Sequence, residues 1–310
     1  MKPRSIESGR IVLSSLDIIS LVYCAWIMLY MGIGMLVGRA VEPFEHTLSF
    51  SVIIGFILLL AYAQGQLDPA KNSKLYRLLS FVRGIYPVAF FGFFFTSLYS
   101  VNRILFPQWI DPFFYEIDRS IFGYLPSLEW GIKYDAWWIS ELFHFAYFCY
   151  YPMIGGLPLY FYFKNKKAFG EIIFTLCFVF YLCYFVFSLL PVIGGRYFPE
   201  AMELTKLYRG GPFTHIMAYI YNVSKHLGGA FPSSHVAIAT VLTVSALRHL
   251  RKVGYVFVVI SFFLSLATVY CHYHWFIDMV MGLFTGVGGY YLALWVHSQM
   301  EKRGIPGAAL

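Results

Sequence analysis

The chain has 310 residues, of which 59% are hydrophobic, 21% are aromatic and only 13% are charged. Soluble domains carry about 25% charged residues, so this composition excludes an ordinary soluble protein and predicts an all-α, polytopic helical bundle in a lipid bilayer. The net charge of +7 comes from basic loops on one side of the predicted bundle, and we do not read it as a sign of nucleic-acid binding. The five cysteines lie in or beside apolar runs without disulfide or zinc-ligand spacing.

Apolar runs of about spanning length follow one another along the chain, since a helix needs about 20 apolar residues to cross the hydrocarbon. We count eight, at 13–37, 47–66, 80–105, 138–163, 170–193, 233–250, 254–272 and 278–297. The first is long enough to be a retained helix or signal anchor. We predict an N-terminal pair of transmembrane helices in 1–79, a six-helix core in 80–297 and a short tail in 298–310.

Basic residues are concentrated in the segments that share a side with the N-terminus. The positive-inside rule then predicts that both termini are cytoplasmic, and the minimal termini favour a bacterial inner (plasma) membrane. The basic residues on that side are Lys2, Arg4, Arg10, Lys71, Lys74, Arg77, Arg83, Lys164, Lys166, Lys167, Arg248, Arg251, Lys252, Lys302 and Arg303.

Two loops are predicted on the opposite, outer side. Charges alternate with aromatic residues from Asp111 to Tyr124, which indicates a short interfacial helix; the alternative is a solvated loop with incidental aromatics. The second loop, 194–231, carries Arg196 where the fifth run ends. That guanidinium suits a phosphate and would also suit a plain anchor to lipid headgroups.

Two further segments on the outer side carry hydroxyl, imidazole and carboxylate side chains of the kinds that act in catalysis. Ser233, Ser234 and His235 follow a small-residue turn at the start of a run, where free backbone N–H groups and the helix dipole favour an anion. Forty residues on, His274 and Asp278 are spaced i, i+4, which on a helix would let the carboxylate orient the imidazole. Taken alone, His235 has the alternative of being a helix-capping or hydrogen-bonded structural histidine. The pairing of the two segments indicates phosphoryl chemistry.

Other polar residues lie in or near the apolar runs. Asp17 is predicted to be structural, near the inner interface. Glu141 and His144 are spaced i, i+3, so they could pair with each other or contact a substrate.

These motifs resemble the type 2 phosphatidic acid phosphatase superfamily, whose pattern is K-x6-R-P, P-S-G-H and S-R-x5-H-x3-D. The chain has Arg196 in the first element, Pro232-Ser233-Ser234-His235 in the second, and His274-x3-Asp278 in the third. Leu189 and Thr268 stand where the family has a lysine and an arginine. The residue pattern from Tyr270 to Asp278 most resembles that of the inositol phosphorylceramide synthase and sphingomyelin synthase branch.

The resemblance implies a double displacement through a phosphohistidine, with no metal and no cofactor. His274 would be the nucleophile, Asp278 would hold its tautomer, and His235 would be the general acid and base. Arg196, Ser233 and Ser234 would bind the phosphate, and Tyr270, Lys225 and Arg209 are possible supporting residues. Lys206, Arg209 or Lys225 could each supply a positive charge in place of the family's missing lysine or arginine. The alternative that His272, His274 and Asp278 bind a metal is weak, because no further acid accompanies them.

The two missing cations bear on the substrate, which we expect to be a membrane lipid. A phosphodiester headgroup carries about one negative charge and a phosphomonoester nearly two, so fewer cations favour the diester. We therefore expect a lipid phosphotransferase. The alternatives are a phosphatase of lipid monoesters, of the phosphatidic acid or isoprenyl phosphate type, and a non-catalytic lipid binder that has lost activity.

Overall fold

The computed structural model describes residues 11–198, 201–202, 210–223 and 226–307. The described residues contain no β-strand, which confirms the predicted all-α class. In chain order the helices are α1 (Ser15–Leu36), α2 (Pro43–Gly65), α3 (Ser73–Ser97), α4 (Asp111–Phe122), α5 (Pro126–Lys133), α6 (Trp137–Phe148), α7 (Tyr150–Lys164), α8 (Lys166–Leu189), α9 (Pro212–Val223), α10 (Ser234–His249), α11 (Arg251–Tyr270) and α12 (Phe276–Lys302).

Six described helices are long and apolar enough to cross a membrane, so this is an integral membrane protein. They are Ser15–Leu36, Pro43–Gly65, Ser73–Ser100, Lys166–Leu189, Arg251–Tyr270 and Phe276–Lys302. The other two predicted spans form shorter helices. Run 233–250 is the 16-residue helix α10, and run 138–163 is divided between α6 and α7.

The division between α6 and α7 has a cause that the sequence contains. Pro152 has no N–H to donate to the carbonyl of Phe148, and its ring crowds that carbonyl. The chain therefore ends one helix at Phe148 and begins the next at Tyr150.

Helix α8 is the most buried of the six candidate spans and packs against α1, α3, α7, α10 and α12. Helices α1 and α3 are joined to each other by a buried ion pair between Asp17 and Arg83. Asp17 also accepts hydrogen bonds from the Ser14 hydroxyl at 2.8 Å and the Tyr86 hydroxyl at 3.2 Å. Asp17 is thus structural, as expected. Arg83, which we had counted as a basic loop residue, lies inside α3 instead.

The predicted segment boundaries at 79 and 297 fall inside helices, since α3 begins at Ser73 and α12 runs to Lys302. The division into an N-terminal pair and a core therefore stays a prediction.

Small residues bring α12 against α10. A Cβ added at Gly282 would lie 2.6 Å from the Ser233 carbonyl oxygen, and one at Gly286 would lie 2.7 Å from that of Ala237. Glycine at both positions lets the two backbones approach closely. This contact brings the loop before α12 next to the start of α10.

Candidate active site

A cavity of about 320 Å³ lies at the end of the bundle where α10 begins. One part of its lining is polar and is formed by Arg196, His226, Ser234, His235 and His274. The remainder is apolar or aromatic and comes mainly from α3, α7 and α8. Four of the six residues predicted for catalysis or phosphate binding thus line one cavity.

His235 is the second residue of α10. Ser233 caps this helix, since its hydroxyl accepts a hydrogen bond from the Val236 N–H at 3.4 Å. The His235 ring lies between two tyrosines, with ring centroids 4.9 Å from Tyr147 and 4.5 Å from Tyr150. Its Nδ1 has no hydrogen-bond partner within the described ranges. The helix start thus presents an imidazole to the cavity, while the Ser233 hydroxyl serves the helix rather than the predicted phosphate site.

His274 lies in the loop between α11 and α12, with its ring centroid 6.1 Å from that of His235. Its Nδ1 donates a hydrogen bond to the Ala230 carbonyl at 2.8 Å, so the lone pair is on Nε2. Burial lowers the pKa of His274 to about 4, against the opposing effect of the Ala230 carbonyl. At neutral pH this is a neutral imidazole with a free nucleophilic nitrogen.

Asp278 does not hold the His274 imidazole in the way its i, i+4 spacing suggested. Helix α12 begins only at Phe276, so His274 lies outside the helix and the helical spacing does not apply. The nearest Asp278 oxygen is 3.7 Å from His274 Nδ1, and it accepts the Trp275 N–H at 2.9 Å. The Ala230 carbonyl fixes the tautomer, and Asp278 caps α12 as a buried carboxylate beside the imidazole.

Arg196 lies in a short 3₁₀ turn, Gly195–Tyr197, and is held by aromatic rings. Its guanidinium lies 4.3 Å from the ring centroid of Tyr221 and 5.6 Å from that of Tyr273, and these two rings stack 4.1 Å apart. No carboxylate among the described residues is within ion-pair distance of it. Stacking therefore orients the guanidinium without neutralising it, which suits an anion site.

Two buried aspartates on α4 support the site, and no local pattern in the sequence indicates their partners. Asp111 accepts hydrogen bonds from the N–H groups of Ile193 at 3.0 Å and Gly194 at 2.9 Å, and from the Trp275 indole at 2.8 Å. It thus ties the segment before Arg196 to the residue after His274. Burial raises the pKa of Asp111, and these hydrogen bonds oppose that rise.

Asp118 performs a similar role about two helical turns further along α4. It accepts the N–H groups of Phe276 at 2.6 Å and Ile277 at 3.0 Å, which are free because they begin α12. The segment predicted as an interfacial helix is indeed helical from Asp111 to Phe122. Two of its three acids are not solvated charges, however, because Asp111 and Asp118 are buried, whereas Glu116 is exposed.

Glu141 has a structural role that its spacing to His144 did not suggest. Its carboxylate accepts the N–H groups of Gly211, Phe213 and Thr214 at 2.9–3.0 Å and the Thr214 hydroxyl at 2.6 Å. It therefore caps α9, the helix that carries Tyr221. His144 Nδ1 donates a hydrogen bond to the Ser140 carbonyl of its own helix at 2.8 Å. Neither residue lines the cavity.

The remaining predicted residues lie elsewhere. The Tyr270 hydroxyl donates to the Tyr134 carbonyl at 3.1 Å, and Tyr270 does not line the cavity. His272 is buried, with Nδ1 hydrogen-bonded to the Ser127 carbonyl. In the described part of the chain no group of three metal-ligating side chains is placed to hold an ion. The possible supporting cations Lys206, Arg209 and Lys225 lie outside the described residues.

The fold and the cavity together define a class of protein: an integral membrane helical bundle with two histidines and an arginine around one site. The chain belongs to the PAP2 superfamily, whose family model matches residues 114–292, from within α4 to within α12. Membership supports an activity of the lipid phosphatase or phosphotransferase type.

Similarity to a curated protein is confined to a short segment. A PA-phosphatase related-family protein of Dictyostelium discoideum is 31% identical to the chain over 68 residues. That segment is 22% of this chain and 12% of the relative, so the chain spans only a small part of the relative's length. No solved structure matches the chain significantly.

Proposed function

We propose that this protein is a metal-independent lipid phosphotransferase that moves a phospho-headgroup from a lipid phosphodiester to a lipid or polyol alcohol. The observation that carries the proposal is the shared cavity, in which the rings of His235 and His274 lie 6.1 Å apart beside Arg196. Two imidazoles at that separation can contact opposite sides of one phosphorus, as an in-line displacement requires.

The transfer would take two steps. In the first, the Nε2 lone pair of His274 attacks phosphorus, a P–N bond forms, and the P–O bond to the first alcohol breaks. Burial and the neighbouring His274 lower the pKa of His235 to about 3, so His235 would take up a proton only as the anionic phosphate binds beside it. It then gives that proton to the departing oxygen. In the second, the incoming alcohol gives its proton to His235, its oxygen attacks phosphorus, and the P–N bond breaks. The atoms balance without a further reactant.

The surroundings of His274 support its role as the nucleophile. The Ala230 carbonyl holds the proton on Nδ1, and burial keeps the imidazole neutral because it lowers the pKa to about 4. Phosphorylation would make the ring positive, and the Asp278 carboxylate 3.7 Å away would stabilise that charge. Arg196 would bind the non-bridging oxygens, and Ser234 would line the same wall.

The charge of the site favours a diester over a monoester. Arg196 is the one lysine or arginine among the described lining residues. A single guanidinium matches the single charge of a phosphodiester. We also propose, from the residue pattern between Tyr270 and Asp278, that the chain belongs to the inositol phosphorylceramide synthase-like branch.

Hydrolysis of phosphatidic acid is the second candidate. The name of the Dictyostelium relative, a PA-phosphatase related-family protein, favours it. For the location, we propose that the cavity lies at the outer face of a bacterial inner membrane, because the basic loops are concentrated at the opposite end of the bundle.

Protein purified in detergent separates the two candidates when it is offered phosphatidylinositol with a diacylglycerol acceptor, and separately phosphatidic acid. We expect headgroup exchange with the former, read by mass spectrometry, and little phosphate release from the latter. His274→Ala should lose turnover by several orders of magnitude, whereas His46→Ala, on α2 and not part of the cavity lining, should not. Fast phosphate release without exchange would favour the phosphatase, and binding without any turnover would indicate a lipid binder.

A further inference from the structure

We propose that the apolar part of the cavity holds one hydrocarbon chain of the lipid whose phosphorus reaches His274, and that Gly92 determines how much of that chain enters. This inference rests on the proposed function. The polar and apolar walls belong to one continuous space, so a phosphate at His274 places its chain among α3, α7 and α8. At about 320 Å³ the space is near the lower end for ligand sites, so it takes a phosphate and part of one chain.

Helix α3 supplies one wall of this space. Val88, Phe91, Gly92 and Phe95 line it, and their spacing of i, i+3, i+4 and i+7 puts them on one helical face. From Val88 to Phe95 the wall is about 10 Å long at 1.5 Å per residue. The family match begins at residue 114, so α3 lies outside it. This wall is therefore a feature of the present chain beyond the matched segment.

The cavity is bounded by α8 on one side and by a contact between α3 and α7 at one end. The Tyr184 hydroxyl on α8 donates to the Phe91 carbonyl at 3.2 Å, and the ring centroids of Phe91 and Phe180 are 4.0 Å apart. These contacts hold α3 on α8. Towards the other end of the bundle α3 meets α7, where the ring centroids of Phe81 and Tyr162 are 4.7 Å apart. The cleft between α3 and α7 is thus open beside the polar site and closed below it.

The open part of the cleft is exposed on the side that faces lipid. Gly92 is exposed, and a Cβ added there would meet no atom within 4 Å. On the opposite wall Tyr151 is 37% exposed although it lines the same cavity. A hydrocarbon chain can therefore enter sideways from the bilayer at Gly92, where the missing side chain leaves the passage wide.

Gly92→Leu tests this inference, with Gly92→Ala as a milder variant. Each is assayed with short-chain (eight-carbon) and long-chain (sixteen-carbon) versions of the lipid substrate in detergent. We expect Gly92→Leu to lower kcat/KM for the long chain relative to the short chain by about tenfold, the size of a typical overpacking effect. Gly92→Ala should change the ratio in the same direction by less. Gly55→Leu is the matched control, because Gly55 on α2 is also exposed with no atom within 4 Å of an added Cβ.

A second measurement does not depend on turnover. A lipid analogue with a diazirine on its chain should crosslink to α3 in the wild-type protein and in Gly55→Leu, and much less in Gly92→Leu. An unchanged chain-length ratio in Gly92→Leu, or crosslinks that avoid α3, would overturn the inference. Crosslinks on α3 in a protein that turns over no lipid would overturn the proposed function and leave the chain site standing.

Discussion

At the scale of single residues, the site depends on how each charged or nucleophilic group is held. Arg196 was visible in the sequence as a phosphate-binding candidate, but its support was not. Two stacked tyrosines, Tyr221 and Tyr273, hold its guanidinium, and α9 brings the first of them into place. A planar cation oriented by rings keeps its N–H groups available for an anion.

Replacing Arg196 by lysine tests this arrangement. The charge stays, but the planar stacking and the forked donors are lost, so we expect kcat/KM to fall by about tenfold to a hundredfold. Arg103→Lys is the matched control, because Arg103 also lies over aromatic rings, 5.1 Å from Tyr99 and 5.2 Å from Trp109, and does not line the cavity. Steady-state kinetics of both variants decide the matter. Equal losses in the two would show that Arg196 acts only through packing.

At the scale of helices, α4 connects parts of the site that are far apart in the chain. Its amphipathic pattern predicted an interfacial helix, and the helix is present. The contacts of Asp111 and Asp118 were not predictable, because their partners are backbone N–H groups about 80 to 160 residues away. No local pattern in a sequence shows which distant helix start a carboxylate will cap. Pro152, in contrast, is a local cause of the break between α6 and α7, although we predicted 138–163 as one span.

Asp118→Asn tests the capping role of α4. The carboxylate accepts two N–H groups, whereas an amide offers one acceptor oxygen and turns donors towards the second N–H. We expect a loss of about 1–3 kcal/mol in the free energy of unfolding, measured as thermal or denaturant unfolding in detergent. Glu116→Gln, on the exposed face of the same helix, removes only a surface ion pair and should cost less than about 0.5 kcal/mol. Comparable losses in both would refute the capping role.

The contact between α10 and α12 also belongs to this scale. Gly286→Leu places a side chain against the Ala237 carbonyl and Thr240, which forces the two helices apart. Gly288→Leu on the same helix meets no atom within 4 Å at its Cβ. We expect the first variant to unfold at a lower temperature and to lose activity, and the second to behave as wild type. If Gly286→Leu kept full activity, close approach of these helices would not be needed for the site.

At the scale of the whole molecule, the family match accounts for α4 to α12, whereas α1 to α3 lie outside it. These three helices are packed into the same core rather than attached loosely. Tyr23 on α1 stacks on Tyr181 of α8 with ring centroids 4.8 Å apart, and Ser20 and Tyr181 share a hydrogen bond of 3.0 Å. Sequence hydropathy predicted that α1 to α3 exist, but not that α3 would form a wall of the cavity. That placement follows from tertiary packing.

The central claim is that His235 and His274 act on one phosphorus, with His274 as the nucleophile. A phosphodiester with a nitrophenolate leaving group tests it, because that group leaves without needing a proton from His235. In His235→Ala the first step should proceed and the second should stall, so the phosphoryl group with its remaining ester should accumulate on the peptide that contains His274, detected by mass spectrometry under conditions that preserve the P–N bond. Turnover of the same substrate by His274→Ala, with no label on His274 in His235→Ala, would contradict it.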